Sequence, residues 1–106
     1  MQEEINSIHQ AAQFGSPEDV AHFLSKGNSV NQLANDQSSP LHFAIFGEND
    51  DTVRFLLNKG ANVNIKNKKG LTPLHLASDY GNDFFVVSLI EAGAKINEKD
   101  ANVCIY

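Results

Sequence analysis

At 106 residues, 42% hydrophobic and 20% charged, the chain is sized for one modest core, because longer chains are needed before a second becomes favourable. Its formal net charge of −5 argues against a nucleic-acid or anionic-membrane surface, which needs clustered Lys and Arg, although Lys66, Lys68 and Lys69 do group locally. The single Cys104 cannot close an intrachain disulfide and favours a reducing, cytoplasmic setting, with nuclear and secreted-effector locations left open; no run resembles a membrane span, and Met1-Gln2-Glu3-Glu4 lacks a signal-peptide layout, so the chain is expected to begin near Met1.

Residues 1–33 open without a proline motif, so the first helix is expected to start directly on acids, which suit a helix N-terminus. Gln2, Glu3, Gln10 and Gln13 give this segment a polar outer side, as an N-terminal cap requires. Residues 34–66 carry Ser39-Pro40-Leu41-His42, a hydroxyl residue before a proline, which marks a helix start. The following Glu48-Asn49-Asp50-Asp51 run is expected to be an irregular, solvated turn between two helices. Residues 67–99 repeat the helix start as Gly70-Leu71-Thr72-Pro73-Leu74-His75, with Gly70 supplying a tight turn where the second segment has Gln37. Leu74, Leu76 and Ala77, then Val86, Leu89 and Ile90, recur at helical spacing on faces that must be buried. Residues 100–106 read as the opening turn of a fourth unit.

His42 and His75 are 33 residues apart, and the same shift superposes most of the chain. It aligns His9 with both, and likewise Ala11, Ala44 and Ala77; Val20, Val53 and Val86; Leu24, Leu57 and Ile90; Gly27, Gly60 and Gly93; Val30, Val63 and Ile96; and Asn31, Asn64 and Asn97. A glycine turn, Thr-Pro-Leu-His, a helix of small residues, a glycine, a second helix, then Gly-Ala and a hydrophobic-Asn pair resemble the ankyrin-repeat family, and Gly70 to Asn97 follow that pattern almost throughout. The resemblance covers essentially the whole chain and implies a single all-α domain over 1–106, a solenoid of stacked helix-turn-helix units with β-turn/hairpin loops. The units are repeat 1 at 1–33, an N-terminal cap, repeat 2 at 34–66, repeat 3 at 67–99 and a partial repeat 4 at 100–106. Repeat 2 departs from the family: Gln37 replaces a glycine, and the glycine between its helices falls one residue early, as Gly47, with Glu48 in the usual place.

No catalytic constellation is legible. The resemblance makes His42 and His75 scaffold residues that bond the turn backbone, and histidines one repeat apart, on the order of 10 Å, are too far apart to share a metal bound at about 2 Å. Cys104 has no base or orienting group near it in sequence, and Asp50 with Asp51, or Asp79 with Asp83, fall at turns where solvation explains them. Neither metal nor cofactor is expected, and Asn31, Asn64 and Asn97 are expected to tie the loop backbone together.

What the resemblance implies about function is a non-catalytic protein-interaction module or scaffold whose partner docks on the concave side, formed by turn tips and the exposed side of the first helices. Carried over residue by residue, that surface is Gln13 and Phe14; Leu33, Asn35, Asp36 and Ser38; Phe46; Lys66, Lys68, Lys69 and Leu71; and Asp79 and Tyr80. Phe14, Phe46 and Tyr80 fall close to one repeat apart, an aromatic row of the kind that hot spots contain. On the second helix of repeat 3, Phe84 and Val87 stand where the family shows charge, and they form a candidate self-association patch for a monomer or weak homodimer through the C-terminal repeat. The alternative is a recognition segment of a larger enzyme or secreted effector, or a self-associating structural array.

Overall fold

Each first helix begins where a hydroxyl side chain can satisfy orphan backbone N–H groups. In the computed structural model, which describes residues 7–93, Ser39 and Thr72 cap α3 (Pro40–Phe46) and α5 (Pro73–Tyr80), each with proline at the first helical position. The same device caps α2 (Pro17–Ser25) through Ser16, where Asp19 answers with a reciprocal bond to the cap backbone. The helix α1 (Ile8–Phe14) is capped by Ser7 in extended conformation, so it starts on a serine and not on the Glu3-Glu4 pair. That corrects the expected start, because the side chain of Ser7 accepts from Gln10 N–H and supplies what the acids were asked to supply.

The second helices of repeats 2 and 3 are α4 (Asp50–Asn58) and α6 (Asp83–Glu91). Ser16, Asn49 and Asn82 occupy one repeat position, the N-cap of the second helix, yet they act differently. Ser16 and Asn82 cap their own helices, whereas Asn49 sends its amide across to repeat 1, donating to the carbonyls of Ala12 at 3.3 Å and Gly15 at 2.8 Å. With Asp50 and Asp51 in the first turn of α4, the acidic run is a pinned turn leading into a helix, not an irregular loop.

The first helices α1, α3 and α5 stack as one layer and α2, α4 and α6 as a second, and each pair also packs internally. Between the layers lies a continuous core: Ile8, Ala11 and Ala12 meet Leu41, Ala44 and Ile45, which continue into Leu74 and Ala77, with Val20, Val53, Leu56, Phe85, Val86 and Leu89 from the second helices. The alanines at one repeat position let the first helices approach closely. The approach is close at Gly47 too, where a Cβ would overlap the carbonyl oxygen of Gln13. Gly47 is helical, at φ −84°, and the left-handed turn falls on Glu48, at φ 53°. In repeat 3 that turn is made by Gly81 at φ 71°. The displaced glycine of repeat 2 is therefore a packing requirement of the neighbouring repeat.

Two β-turns project from the layers. Gln37 N–H donates to Ala34 O and Gly70 N–H to Asn67 O, both at 2.9 Å, and Gln37 takes the same left-handed conformation as Gly70, at φ 66° against 80°. No strand forms among the described residues. The Ile96-Asn97 pair, the polar residues Gln2 and Glu3, and the Asp100–Tyr106 opening of a fourth repeat lie outside the described residues.

Candidate interaction surface

Polar groups that looked available for chemistry are consumed in joining one repeat to the next. Ser39 N–H donates to Nδ1 of His42 at 3.0 Å, which leaves Nε2 as the protonated nitrogen, 2.9 Å from the carbonyl oxygen of Leu71. His42 is buried, and desolvation holds its pKa below the usual imidazole value, with the Leu71 bond acting the other way. Thr72 and His75 repeat the local half of this arrangement at 3.0 Å. His9 approaches Gln32 O at 2.6 Å across its own repeat. The asparagines act as ties between repeats: Asn31 Oδ1 accepts from Asn62 N–H at 2.8 Å, and Asn64 Nδ2 donates to Gly93 O at 3.4 Å. Among the described residues, no group of three or more His, Cys, Asp or Glu could hold a metal ion.

The turn tips are locked in the same way. Lys68 N–H donates to Asp36 O at 2.8 Å, and Asn67 reaches Ser38 Oγ at 3.2 Å while accepting from Lys69 and Leu71 N–H. Ser38, expected on the surface, is fully buried at 0% exposure. Its hydroxyl donates to the Asp36 carboxylate and accepts from Asn67, so it belongs to the scaffold and cannot touch a partner. The bonds from Ser38 in turn hold the Asp36 carboxyl below its ordinary pKa, the backbone N–H contributing most.

Leu71 is half-buried against the core, with its carbonyl engaged by His42. Phe46 is half-buried too, packed edge-on to Phe43 at 5.6 Å, and Phe43 in turn sits 5.1 Å from the His9 ring. The expected aromatic row is thereby corrected. Phe46 shares its repeat position with Gln13 and Asp79; the residue in line with Phe14 and Tyr80 is Gly47. Phe14 and Tyr80 stand out at 63% and 41% exposure, on either side of a position with no side chain. Leu33, Asn35, Asp36, Lys66, Lys68, Lys69 and Asp79 are exposed, and Gln13 is partly so.

Two residues outside the expected set join this face. Glu48 lies near enough to raise the pKa of Tyr80 together with Asp79, although desolvation is the larger cause, and Phe43 lies beside Phe46 at the base of the first-helix layer. The 33-residue period does not point to either, since Glu48 aligns with Gly15 and Gly81, and Phe43 with Gln10 and the buried Leu76. On the opposite, second-helix side, Phe84 and Val87 are exposed on α6 with Ile90, and the guanidinium of Arg54 lies 4.8 Å from the Phe84 ring centroid.

A family model of ankyrin repeats, in three copies, matches residues 8–100. The chain belongs to the ankyrin-repeat family. Ankyrin repeats are generally protein–protein interaction modules, and the six described helices, α1 to α6, build the stacked helix pairs of that fold. No curated protein matches the chain. No helix among the described residues of this ankyrin array is long and apolar enough to cross a membrane.

Proposed function

We propose that this ankyrin array is a non-catalytic interaction module, placed in a reducing cytoplasmic setting, that holds a protein partner on its first-helix and turn face. One observation carries the reading: Phe14 and Tyr80 remain exposed on that face, with exposed Asp79 next to Tyr80 in sequence, while His42, Ser38 and Asn67 are tied into the scaffold. Exposed aromatics beside charge are what the energetic centres of protein interfaces contain. Lys68 and Lys69 are exposed on the turn tip at the other end of the first helices, so they suit an acidic feature of the partner. The test compares proteins captured by the chain and by the triple variant Phe14→Ala, Lys69→Ala, Tyr80→Ala. Partners lost with the triple variant but kept by Phe84→Ser, Val87→Ser, at unchanged helicity, support the reading; partners lost only with the second variant overturn it.

A second reading has its own support. Phe84 and Val87 replace Asp51 and Arg54 of the preceding repeat, so α6 is apolar on faces where α4 is charged. An interface between two copies there predicts a mass that rises with concentration in light scattering and reverts to monomer in Phe84→Ser, Val87→Ser.

A further inference from the structure

We infer that two copies of the chain pair antiparallel across α6, about a two-fold axis at Val87 and Ser88, with Arg54 of each copy facing Glu91 of the other; this rests on the second reading, that copies meet through Phe84 and Val87. Between α4 and α6 runs a groove lined by Arg54, Leu57, Asn58, Ser88, Glu91 and Ala92. The inner sides of both helices are taken by the core, through Val53, Leu56, Phe85, Val86 and Leu89, so the groove opens outward. It straddles the seam between repeats 2 and 3. In a stacked array each repeat touches only its neighbours, so a further repeat adds on the side of α6 away from α4 and leaves this seam open.

The face is apolar in its middle and oppositely charged at its ends. Val87, midway along α6, is 53% exposed and stands where repeat 2 has Arg54. In the first turn of α6 the exposed Phe84 ring carries the Arg54 guanidinium 4.8 Å from its centroid. Glu91, exposed, is the last residue of the helix. Phe84, Val87 and Glu91 fall on one face at helical spacing, and the seven residues from Phe84 to Glu91 span about 10 Å. In a two-fold pair every contact occurs twice, and a residue off the axis meets a different residue of the other copy. With α6 antiparallel to its counterpart and the axis midway, at Val87 and Ser88, the Phe84 end of one copy lies against the Glu91 end of the other. Valine then meets valine at the centre, and each Arg54 meets a carboxylate. A parallel pairing would set Arg54 against Arg54 and Glu91 against Glu91. A partner of one charge suits one end of the face and is repelled at the other, whereas a second copy suits both. Each copy carries a net charge of −5, but at physiological salt that repulsion is screened beyond about 8 Å, so the contact groups decide. One nine-residue helix and its neighbour make a small interface, and the pair is accordingly weak.

Sedimentation equilibrium of the whole chain, from about 10 μM to 1 mM, compares wild type with Arg54→Glu, Glu91→Arg and the two combined in one chain, each checked for unchanged helicity and thermal midpoint. Wild type should approach twice the monomer mass. Either single reversal should weaken the dimer about tenfold to thirtyfold, because both symmetry-related pairs become repulsive. An equimolar mixture of Arg54→Glu and Glu91→Arg should regain wild-type affinity, and so should the combined variant alone, since opposite charges again face each other. Single reversals that leave the dimer intact overturn the arrangement. So do a mixture and a combined variant that fail to regain it; in both cases a monomeric Phe84→Ser, Val87→Ser leaves the α6 contact standing. A mass that climbs past two copies overturns the arrangement as well, because a head-to-tail contact does not close. Wild type monomeric at every concentration removes the contact and the arrangement together.

Discussion

Exchanging the roles of two adjacent residues tests the packing logic most directly. Gly47 is helical, at φ −84° and ψ −3°, so on backbone grounds alone alanine should be welcome there, by up to about 1 kcal/mol of helix propensity. The Gln13 carbonyl forbids it. That oxygen belongs to the backbone at the end of α1 and cannot rotate away, so α1 must retreat from α3 and loosen the contacts of Ile8, Ala11 and Ala12 with Ala44 and Ile45. Overpacking of this kind costs roughly 1–3 kcal/mol, and a backbone obstacle belongs at the upper end. Gly47→Ala should therefore destabilise by about 2 kcal/mol net. For a domain of this size that lowers the thermal midpoint by roughly 8–16 °C. At the next position the sign reverses. Glu48 holds φ 53°, which costs a side chain about 1–2 kcal/mol, while glycine loses about 0.5–1 kcal/mol more chain entropy on folding. Glu48→Gly should gain about 0.5–1 kcal/mol. Glu48→Ala, which removes the carboxylate but keeps the strained conformation, should gain much less and separates backbone relief from relief of repulsion with Asp50, Asp51 and Asp79. Urea melts followed by far-UV circular dichroism read all three. A Gly47→Ala variant as stable as wild type, or a Glu48→Gly variant less stable than Glu48→Ala, refutes the assignment.

The pH dependence follows from His42. Its folded pKa lies below the unfolded value, so the unfolded chain binds the proton more readily, and stability is full above about pH 6.5 and declines as pH falls towards the folded value. Thermal midpoints at pH 7.5 and 5.5 should differ by more in wild type than in His42→Asn; an equal difference removes His42 from the explanation. Thr52 is buried with a hydroxyl that has no hydrogen-bond partner in the described structure, so Thr52→Val should stabilise by about 1 kcal/mol in denaturant melts, and a loss of stability would point to a bond the hydroxyl makes. Asn49→Ala gives up both bonds from the turn of repeat 2 to the end of α1 and should destabilise by about 1–2 kcal/mol, with amide exchange at Gly15 and Ser16 accelerating first.

Most of the architecture was legible because the period of 33 residues carries its own check: a hydroxyl-proline helix start, an alanine and a glycine recur at the same distance. What escaped the sequence depends on contacts between repeats that spacing does not encode. The early glycine of repeat 2 reads as a defect until the Gln13 carbonyl is seen against it. Ser38 looks like a surface residue until Asp36 and Asn67 are seen to bury it. The aromatic row was placed one residue out of register, since Phe46 resembles Phe14 and Tyr80 in chemistry but not in position. The start of α1 was misread for a related reason: acids suit a helix N-terminus only weakly, whereas a serine hydroxyl can accept from the backbone of the first turn.

Agreement and disagreement between the repeats divide the molecule by task. Many positions where the repeats agree, such as Ala11, Ala44 and Ala77 or His42 and His75, are buried, and His42 bonds one repeat to the next. Where they disagree, most side chains are exposed: Phe14 against Tyr80, Leu33 against Lys66, Asn35 against Lys68 and Asp36 against Lys69. Stacking sets the first group, because every layer meets the same neighbour; nothing within the stack sets the second, which is free to be fitted to a ligand. Asp19, Thr52 and Phe85 break the rule, differing at one repeat position although Thr52 and Phe85 are fully buried. There the size of the residue rises along the array, from a capping aspartate to a threonine with an unpaired hydroxyl to the largest side chain of the core. Internal divergence at a buried position thus reports a difference in packing between successive repeats, and only divergence at an exposed one can be read as recognition.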